Sequence, residues 1–146
     1  MVRVREIIEV TASPNDAFDY VADFANSAEW DPGVESAERV GSGPIGVGSE
    51  YRLVVTFRKT RLPMTYRCTE YESPRRVVLE GEGSTIHALD EIVVEPSPSG
   101  SGSRITYTAD LSMKGVLKAA EPFLRGAFDA MGERALAGMK RELDRS

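Results

Sequence analysis

The order of predicted elements constrains this chain more than any single motif does. A strand-like run opens the sequence, two short helices follow, and a series of alternating strands leads to one long amphipathic helix. A closing helix must bury its apolar stripe against another element, and the largest surface available is one face of the strand series. The order therefore predicts an α+β fold, in which a curved antiparallel sheet of about seven strands wraps around the C-terminal helix.

Composition narrows the classes of protein that this chain can belong to. The 146 residues are 41% hydrophobic and 28% charged, so we predict one globular domain over residues 1–146. The net charge of -5 argues against a nucleic-acid partner, which requires clustered positive charge. The single cysteine, Cys68, fits a reducing compartment. Without an apolar leader or a membrane-length apolar run, we expect a cytoplasmic protein with no stable membrane insertion.

The first third of the sequence predicts one strand and two helices. Alternation predicts a strand over Val2–Thr11. Ser13 is a typical N-cap, with Pro14 at the first helical position, so a helix should begin there. A second short helix should cover Phe24–Trp30 and end at the Asp-Pro-Gly turn that follows.

The rest of the chain predicts six strands and a long helix. The strands are expected at Val34–Val40, Gly48–Arg58, Met64–Tyr71, Arg76–Gly81, His87–Glu95 and Arg104–Ser112. The helix should run from Gly115 to Leu143, with Pro122 kinking or offsetting its first turns. Its apolar stripe mixes alanines with Leu124, Phe128 and Met131. Small residues facing a curved sheet either leave a cavity or permit closer packing.

Hairpin closure assigns each strand residue to a face of the sheet. Closing a loop over residues 58–63 would pair Phe57 with Met64 and Leu53 with Cys68. The later hairpins would place Asp90 between Leu79 and Ala109. One inner face results, and its members are mostly apolar: Tyr51, Leu53, Val55, Phe57, Met64, Tyr66, Cys68, Val77, Leu79, Gly81, Ala88, Asp90, Ile92, Val94, Ile105, Tyr107, Ala109 and Leu111. A one-residue bulge would flip part of this face.

Asp90 is the candidate residue for chemistry because it is the one carboxylate on this apolar face. A buried carboxylate must be paired or must keep its proton with a raised pKa. It is therefore either a polar anchor or general acid/base in a cavity, or a structural group satisfied by Tyr66, Tyr107 or backbone. The hydroxyls of Tyr51, Tyr66 and Tyr107 either orient a ligand or bond to backbone carbonyls.

Other distinctive residues favour structural roles. Trp30 either gates the mouth of a cavity or plugs the gap between helix and sheet. His87, the one histidine, falls on the outer face, and no further ligands lie at metal-binding spacing. Cys68 points inward among apolar residues, where a thiol behaves as a small hydrophobe. We predict neither a metal site nor a cofactor.

Several segments carry a resemblance to a known family, and together they cover essentially the whole chain. They are Ser13–Asp23, Trp30–Val34, Val47–Tyr51, Thr69–Val77 and Ile105–Leu111. The chain resembles the START-like, helix-grip superfamily (SRPBCC), specifically its bacterial polyketide cyclase/dehydrase and lipid-transport group. The resemblance implies a deep apolar cavity between the sheet and the final helix, used for lipids, polyketides or similar molecules. The motifs are caps, turns and strand ends, so they specify the fold and not the chemistry.

Three functional hypotheses follow. The first is binding or transport of a hydrophobic small molecule by residues Trp30, Tyr51, Leu53, Tyr66, Leu79, Asp90, Tyr107, Leu124, Phe128 and Met131. The second is a cyclase or dehydratase that uses Asp90 and a cavity tyrosine as acid and base. The third is an interaction module whose cavity is filled by its own side chains. A homodimer is compatible with all three.

Overall fold

Seven strands form one antiparallel sheet in the computed structural model, which describes residues 1–145. They are β1 Val2–Val10, β2 Val34–Val40, β3 Glu50–Phe57, β4 Thr60–Glu72, β5 Arg76–Glu82, β6 Ile86–Pro96 and β7 Ser103–Met113. Their order in the sheet is β1-β7-β6-β5-β4-β3-β2. The first strand therefore pairs with the last, and β1 and β2 form the two edges.

Two short helices follow β1, as predicted. Helix α1 spans Pro14–Ala22, and the Ser13 hydroxyl caps it by accepting a hydrogen bond from the Asp16 amide at 3.2 Å. A 3₁₀ turn at Phe24–Asn26 leads into α2, Ser27–Trp30. The helix-grip fold predicted from the order of elements is confirmed.

The long helix begins later than the apolar pattern predicts. Residues Gly115–Ala120 form a 3₁₀ helix, and the α-helix α3 runs over Glu121–Asp144. Pro122 lies in the first turn of α3, where its missing N–H costs nothing because that group has no partner within the helix. Pro122 therefore marks the start of α3 and does not kink its interior.

The predicted register of the last three strands is confirmed. Asp90 of β6 lies opposite Leu79 of β5 and Ala109 of β7. Ile92 lies opposite Val77 and Tyr107 in the same way. The inner face predicted for these strands is thus the buried one, and Asp90 is only 3% exposed.

The predicted register of β3 with β4 is wrong by four residues. Leu53 lies opposite Met64 and Phe57 opposite Thr60, where the sequence suggested Cys68 and Met64. The cause is a two-residue turn at Arg58 and Lys59, both with positive φ (51° and 66°), which matches the twist of the strands it joins. Because four is an even number, this error leaves the side chains of β3, and those of β4 as far as Cys68, on their predicted faces.

A bulge in β4 changes the face of the residues beyond it. The pairing with β5 shifts between Cys68 and Glu70, so that Tyr71, and not Glu70, lies opposite Val77. Tyr71 consequently packs edge-on against Phe18 of α1, with 5.4 Å between the ring centroids. The bulge thus lets β4 contribute to the packing under α1.

Helix α3 packs against β1 and α2 and lies over the concave face of the sheet. Its core-facing side chains include Phe128, Ala135, Leu136 and Met139. The closest approach is at Gly138, where an added Cβ would lie 1.9 Å from the carbonyl oxygen of Trp30. Only glycine permits this contact between the helix backbone and the end of α2.

This contact predicts opposite effects for two glycine substitutions in α3. Gly138→Ala should lower the free energy of unfolding by about 2–3 kcal/mol, because a backbone atom of Trp30 must move. Gly126→Ala is the matched control, since nothing lies within 4 Å of its added Cβ. It should raise stability by about 0.5–1 kcal/mol through helix propensity. Urea unfolding of both variants checks this, and equal effects would contradict the close contact.

Candidate ligand cavity

A cavity of about 130 Å³ lies between the inner face of the sheet and α3. Most of its wall is aliphatic, aromatic or thioether side chains, contributed by β3, β4, β6, β7 and the middle of α3. Phe57 and Phe128 meet across it, with 4.9 Å between their ring centroids. The helix side of the wall consists of Phe128, Met131, Gly132, Ala135 and Leu136.

Four lining side chains within residues 1–145 carry oxygen atoms, namely Asp31, Tyr66, Asp90 and Tyr107. A binding cavity typically combines apolar walls with a few such groups, which orient the ligand. The polar chemistry available to a ligand here is therefore that of two carboxyl groups and two phenols.

The carboxyl group of Asp90 is buried, and only one of its two oxygen atoms has a hydrogen-bond partner among the described residues. The Tyr107 hydroxyl donates a hydrogen bond to Oδ2. Oδ1 is buried and has no partner among the described residues. Burial raises the pKa of Asp90 to about 7, although the bond from Tyr107 opposes this shift and the charge of Asp31 adds to it. Asp90 therefore changes protonation state near neutral pH.

Asp31 is a second carboxyl group on the wall, and sequence reasoning missed its role. It ends α2, and its Oδ1 accepts a hydrogen bond from the Gly33 amide at 2.8 Å. Burial raises its pKa to about 6, against the opposing effects of that bond and of Arg134. The Asp-Pro-Gly sequence indicated only a turn, since nothing local reveals that this turn borders the cavity.

The two tyrosines are held in place by ring contacts. Tyr107 packs edge-on against Trp30, with centroids 6.0 Å apart. The Tyr66 ring covers Gly81 of β5, where an added Cβ would lie 2.6 Å from the ring. Burial and the charges of Asp90 and Asp31 hold the pKa of both phenols well above the usual value. Both therefore stay protonated and can donate hydrogen bonds.

Six of the residues predicted to bind a ligand line the cavity: Leu53, Tyr66, Asp90, Tyr107, Phe128 and Met131. Whether they contact a ligand stays a prediction.

The other four predicted residues lie away from the wall. Tyr51 is fully buried and packs edge-on against Phe24, which itself lines the cavity. Trp30 lies against Tyr107 and Phe24 and fills the space between α2 and the sheet. Leu79 belongs to β5, which contributes nothing to the wall, and Leu124 packs against the core one turn before Phe128. Inward orientation alone does not bring a side chain to the cavity.

His87 and Cys68 lie outside the wall as well. His87 is on the outer face, with Nε2 3.0 Å from Glu80 Oε2. Cys68 is buried, and its thiol contacts the Glu70 carbonyl oxygen at 3.4 Å. Within residues 1–145, no three His, Cys, Asp or Glu side chains are grouped to hold a metal ion. No helix in that range has the length and hydropathy needed to cross a bilayer.

The fold and the cavity between sheet and helix define the class of START-like, helix-grip proteins. The family model for polyketide cyclase / dehydrase and lipid transport matches residues 1–144. The chain belongs to this family. At this level, family and fold support the binding of a hydrophobic ligand.

Solved structures with the same fold share little sequence with this chain. A protein of Thermus thermophilus aligns with a TM-score of 0.81 at 18% identity, over 97% of this chain and 96% of that one. A START superfamily protein from Mycobacterium smegmatis aligns with a TM-score of 0.79 at 14% identity, over 98% of this chain and 97% of that one. Zhui aromatase/cyclase from Streptomyces sp. R1128 aligns with a TM-score of 0.77 at 17% identity, over 98% of this chain and 93% of that one. The comparison with curated protein sequences gives no significant match.

The raised pKa of Asp90 predicts that the protein loses stability as pH rises. The folded state holds the proton more tightly than the unfolded state, so its advantage falls between pH values near 3.8 and about 7. From pH 5 to pH 8 the loss should be about 2–3 kcal/mol. Asp90→Asn has no proton to lose at this position. Between pH 5 and pH 8 its free energy of unfolding should therefore rise by about 2–3 kcal/mol relative to that of the wild type. Urea unfolding of both proteins at pH 5 and pH 8 measures it.

Asp31 is present in both proteins, so most of its own pH dependence cancels in the comparison. Parallel pH profiles for the two proteins would contradict a buried, proton-holding Asp90.

Proposed function

We propose that this protein binds or carries a hydrophobic small molecule in the cavity between the sheet and α3. The observation that carries the proposal is the apolar cavity with a few hydrogen-bonding groups on its wall. A closely packed core would have no such space, because protein interiors normally leave few voids larger than a water molecule. The space therefore weighs against the hypothesis of an interaction module with a filled cavity.

The size of the cavity limits what fits without rearrangement. An apolar cavity of about 150 Å³ in another protein binds benzene, so about 130 Å³ suits a molecule near the size of one aromatic ring. A polyketide or lipid with more atoms would extend beyond the cavity or displace α3 or the β3–β4 hairpin. We propose a ring-sized ligand, or a ring-sized part of a larger one, for the conformation described.

Catalysis of the cyclase or dehydratase kind is the second candidate, and a particular observation favours it. Burial raises the pKa of Asp90 to about 7, and its carboxyl group accepts a hydrogen bond from the Tyr107 hydroxyl at the cavity wall. A general acid or base works best when its pKa is near the working pH. One structural relative is named an aromatase/cyclase. A linear polyketone incubated with the protein and in buffer alone distinguishes the two roles, since an enzyme would speed the loss of water above the uncatalysed rate and a carrier would not.

The expectations about domain organisation, location and partners are part of the same proposal. We propose one functional domain over residues 1–146, a cytoplasmic location and no nucleic-acid partner, and a homodimer is compatible with each.

Filling the cavity should abolish binding without affecting the rest of α3. Ala135 lines the cavity, whereas Ala137 is exposed on the opposite side of the same helix. Ala135→Leu should weaken toluene binding at least about tenfold, because the added carbons occupy the ligand's space. Ala137→Leu is the control and should bind toluene as the wild type does. Ligand-observed NMR and the shift in Tm with added toluene measure both.

Failure of toluene to bind the wild type would overturn the carrier proposal in this conformation. Equal binding by Ala135→Leu and the wild type would place the ligand elsewhere.

A further inference from the structure

The wall of the cavity offers the oxygens of two carboxyl groups as acceptors and the Tyr66 hydroxyl as a donor, and no positive charge lies on it among the described residues. Asp31 and Asp90 are its charged groups within residues 1–145, and no Lys, Arg or His of that range lies on the wall. Each of these carboxyl groups also raises the free energy of a negative charge placed nearby. A ligand whose polar end is a carboxylate or phosphate would bring a further negative charge into this space with no cation to meet it.

The buried acceptor without a partner on the wall is an oxygen of Asp90. Oδ2 of Asp90 is occupied by the Tyr107 hydroxyl, and Oδ1 is buried without a partner among the described residues. Asp90 itself is 3% exposed. An unpaired buried acceptor costs free energy that a correctly placed donor recovers. When Asp90 is ionised, its unpaired oxygen therefore favours a ligand that brings a hydrogen-bond donor.

We propose that the ligand is an apolar, ring-sized molecule whose polar end is a hydrogen-bond donor, such as a hydroxyl or N–H group, which bonds to Oδ1 of Asp90. This inference rests on the proposed binding function and deepens it by naming the chemistry of the ligand. Tyr107 positions the carboxyl group through Oδ2, which leaves Oδ1 for the donor. Ligands that offer only acceptors, and anionic ligands, bind less well.

Two isomers provide a matched test of this preference. Benzyl alcohol and anisole have the same atoms and nearly the same size, but only benzyl alcohol has a donor. Water solvates the alcohol more strongly, so hydrophobicity alone favours anisole. Toluene reports on the apolar cavity without any polar group, and benzoate reports on the effect of a negative charge. Titrations at pH 8.5, followed by calorimetry or NMR, keep Asp90 largely ionised.

The wild-type protein should bind benzyl alcohol about tenfold more tightly than anisole and should not bind benzoate measurably. Asp90→Asn should lose or reverse the preference between the isomers. Its amide oxygen can accept the bond from Tyr107, which leaves the amide nitrogen, a donor, facing the cavity. Toluene should bind both proteins alike. This result would support the inference.

Anisole or benzoate binding the wild type as tightly as benzyl alcohol, while toluene also binds, would overturn the donor preference and leave the carrier proposal standing. Binding of none of the four probes would overturn the carrier proposal itself. The wild-type series decides between these outcomes even where Asp90→Asn fails to fold.

Discussion

The way in which α3 is held over the sheet determines the rest of this structure. Its second half is fixed by the backbone contact of Gly138 with Trp30 and by the buried Leu136 and Met139. One and two turns earlier, the helix faces the sheet with Met131, Gly132 and Ala135 and leaves the cavity beneath them. Tight packing at one end and small side chains in the middle therefore leave a space between helix and sheet without an additional element.

The cost of this arrangement is electrostatic. Two carboxyl groups border an apolar space, and burial raises the pKa of each. The Tyr107 hydroxyl donates a hydrogen bond to one of the two carboxyl oxygens of Asp90, and the Gly33 amide donates one to Asp31. A protein selected only for stability would place apolar side chains here, because a half-satisfied buried carboxyl group lowers stability. Local rules that fail at one place are typical of functional sites.

Membership of the family defines the fold, whereas the side chains of the cavity define the chemistry of the ligand. The aligned structures show the helix-grip fold, and the family match over residues 1–144 supports hydrophobic ligand binding in broad terms. Identities of 18% and below for the aligned structures described above carry no substrate from one protein to another. The particular chemistry depends on which side chains reach the cavity, and among the described residues the charged ones are Asp31 and Asp90.

The sequence by itself determined the elements and the faces of the strands. Alternation has a period of two, so the inward side chains of β3 kept their face despite the four-residue error with β4, and the inward orientation of Asp90 followed from a register that was predicted correctly. Only the tertiary structure decided which inward side chains reach the cavity, because Phe24 packs against Tyr51 and takes a place on the wall that Tyr51 does not reach. It also brought Asp31 from a turn to the wall and moved Tyr71 inward through a bulge. These outcomes depend on contacts between segments far apart in the chain, which local patterns do not encode.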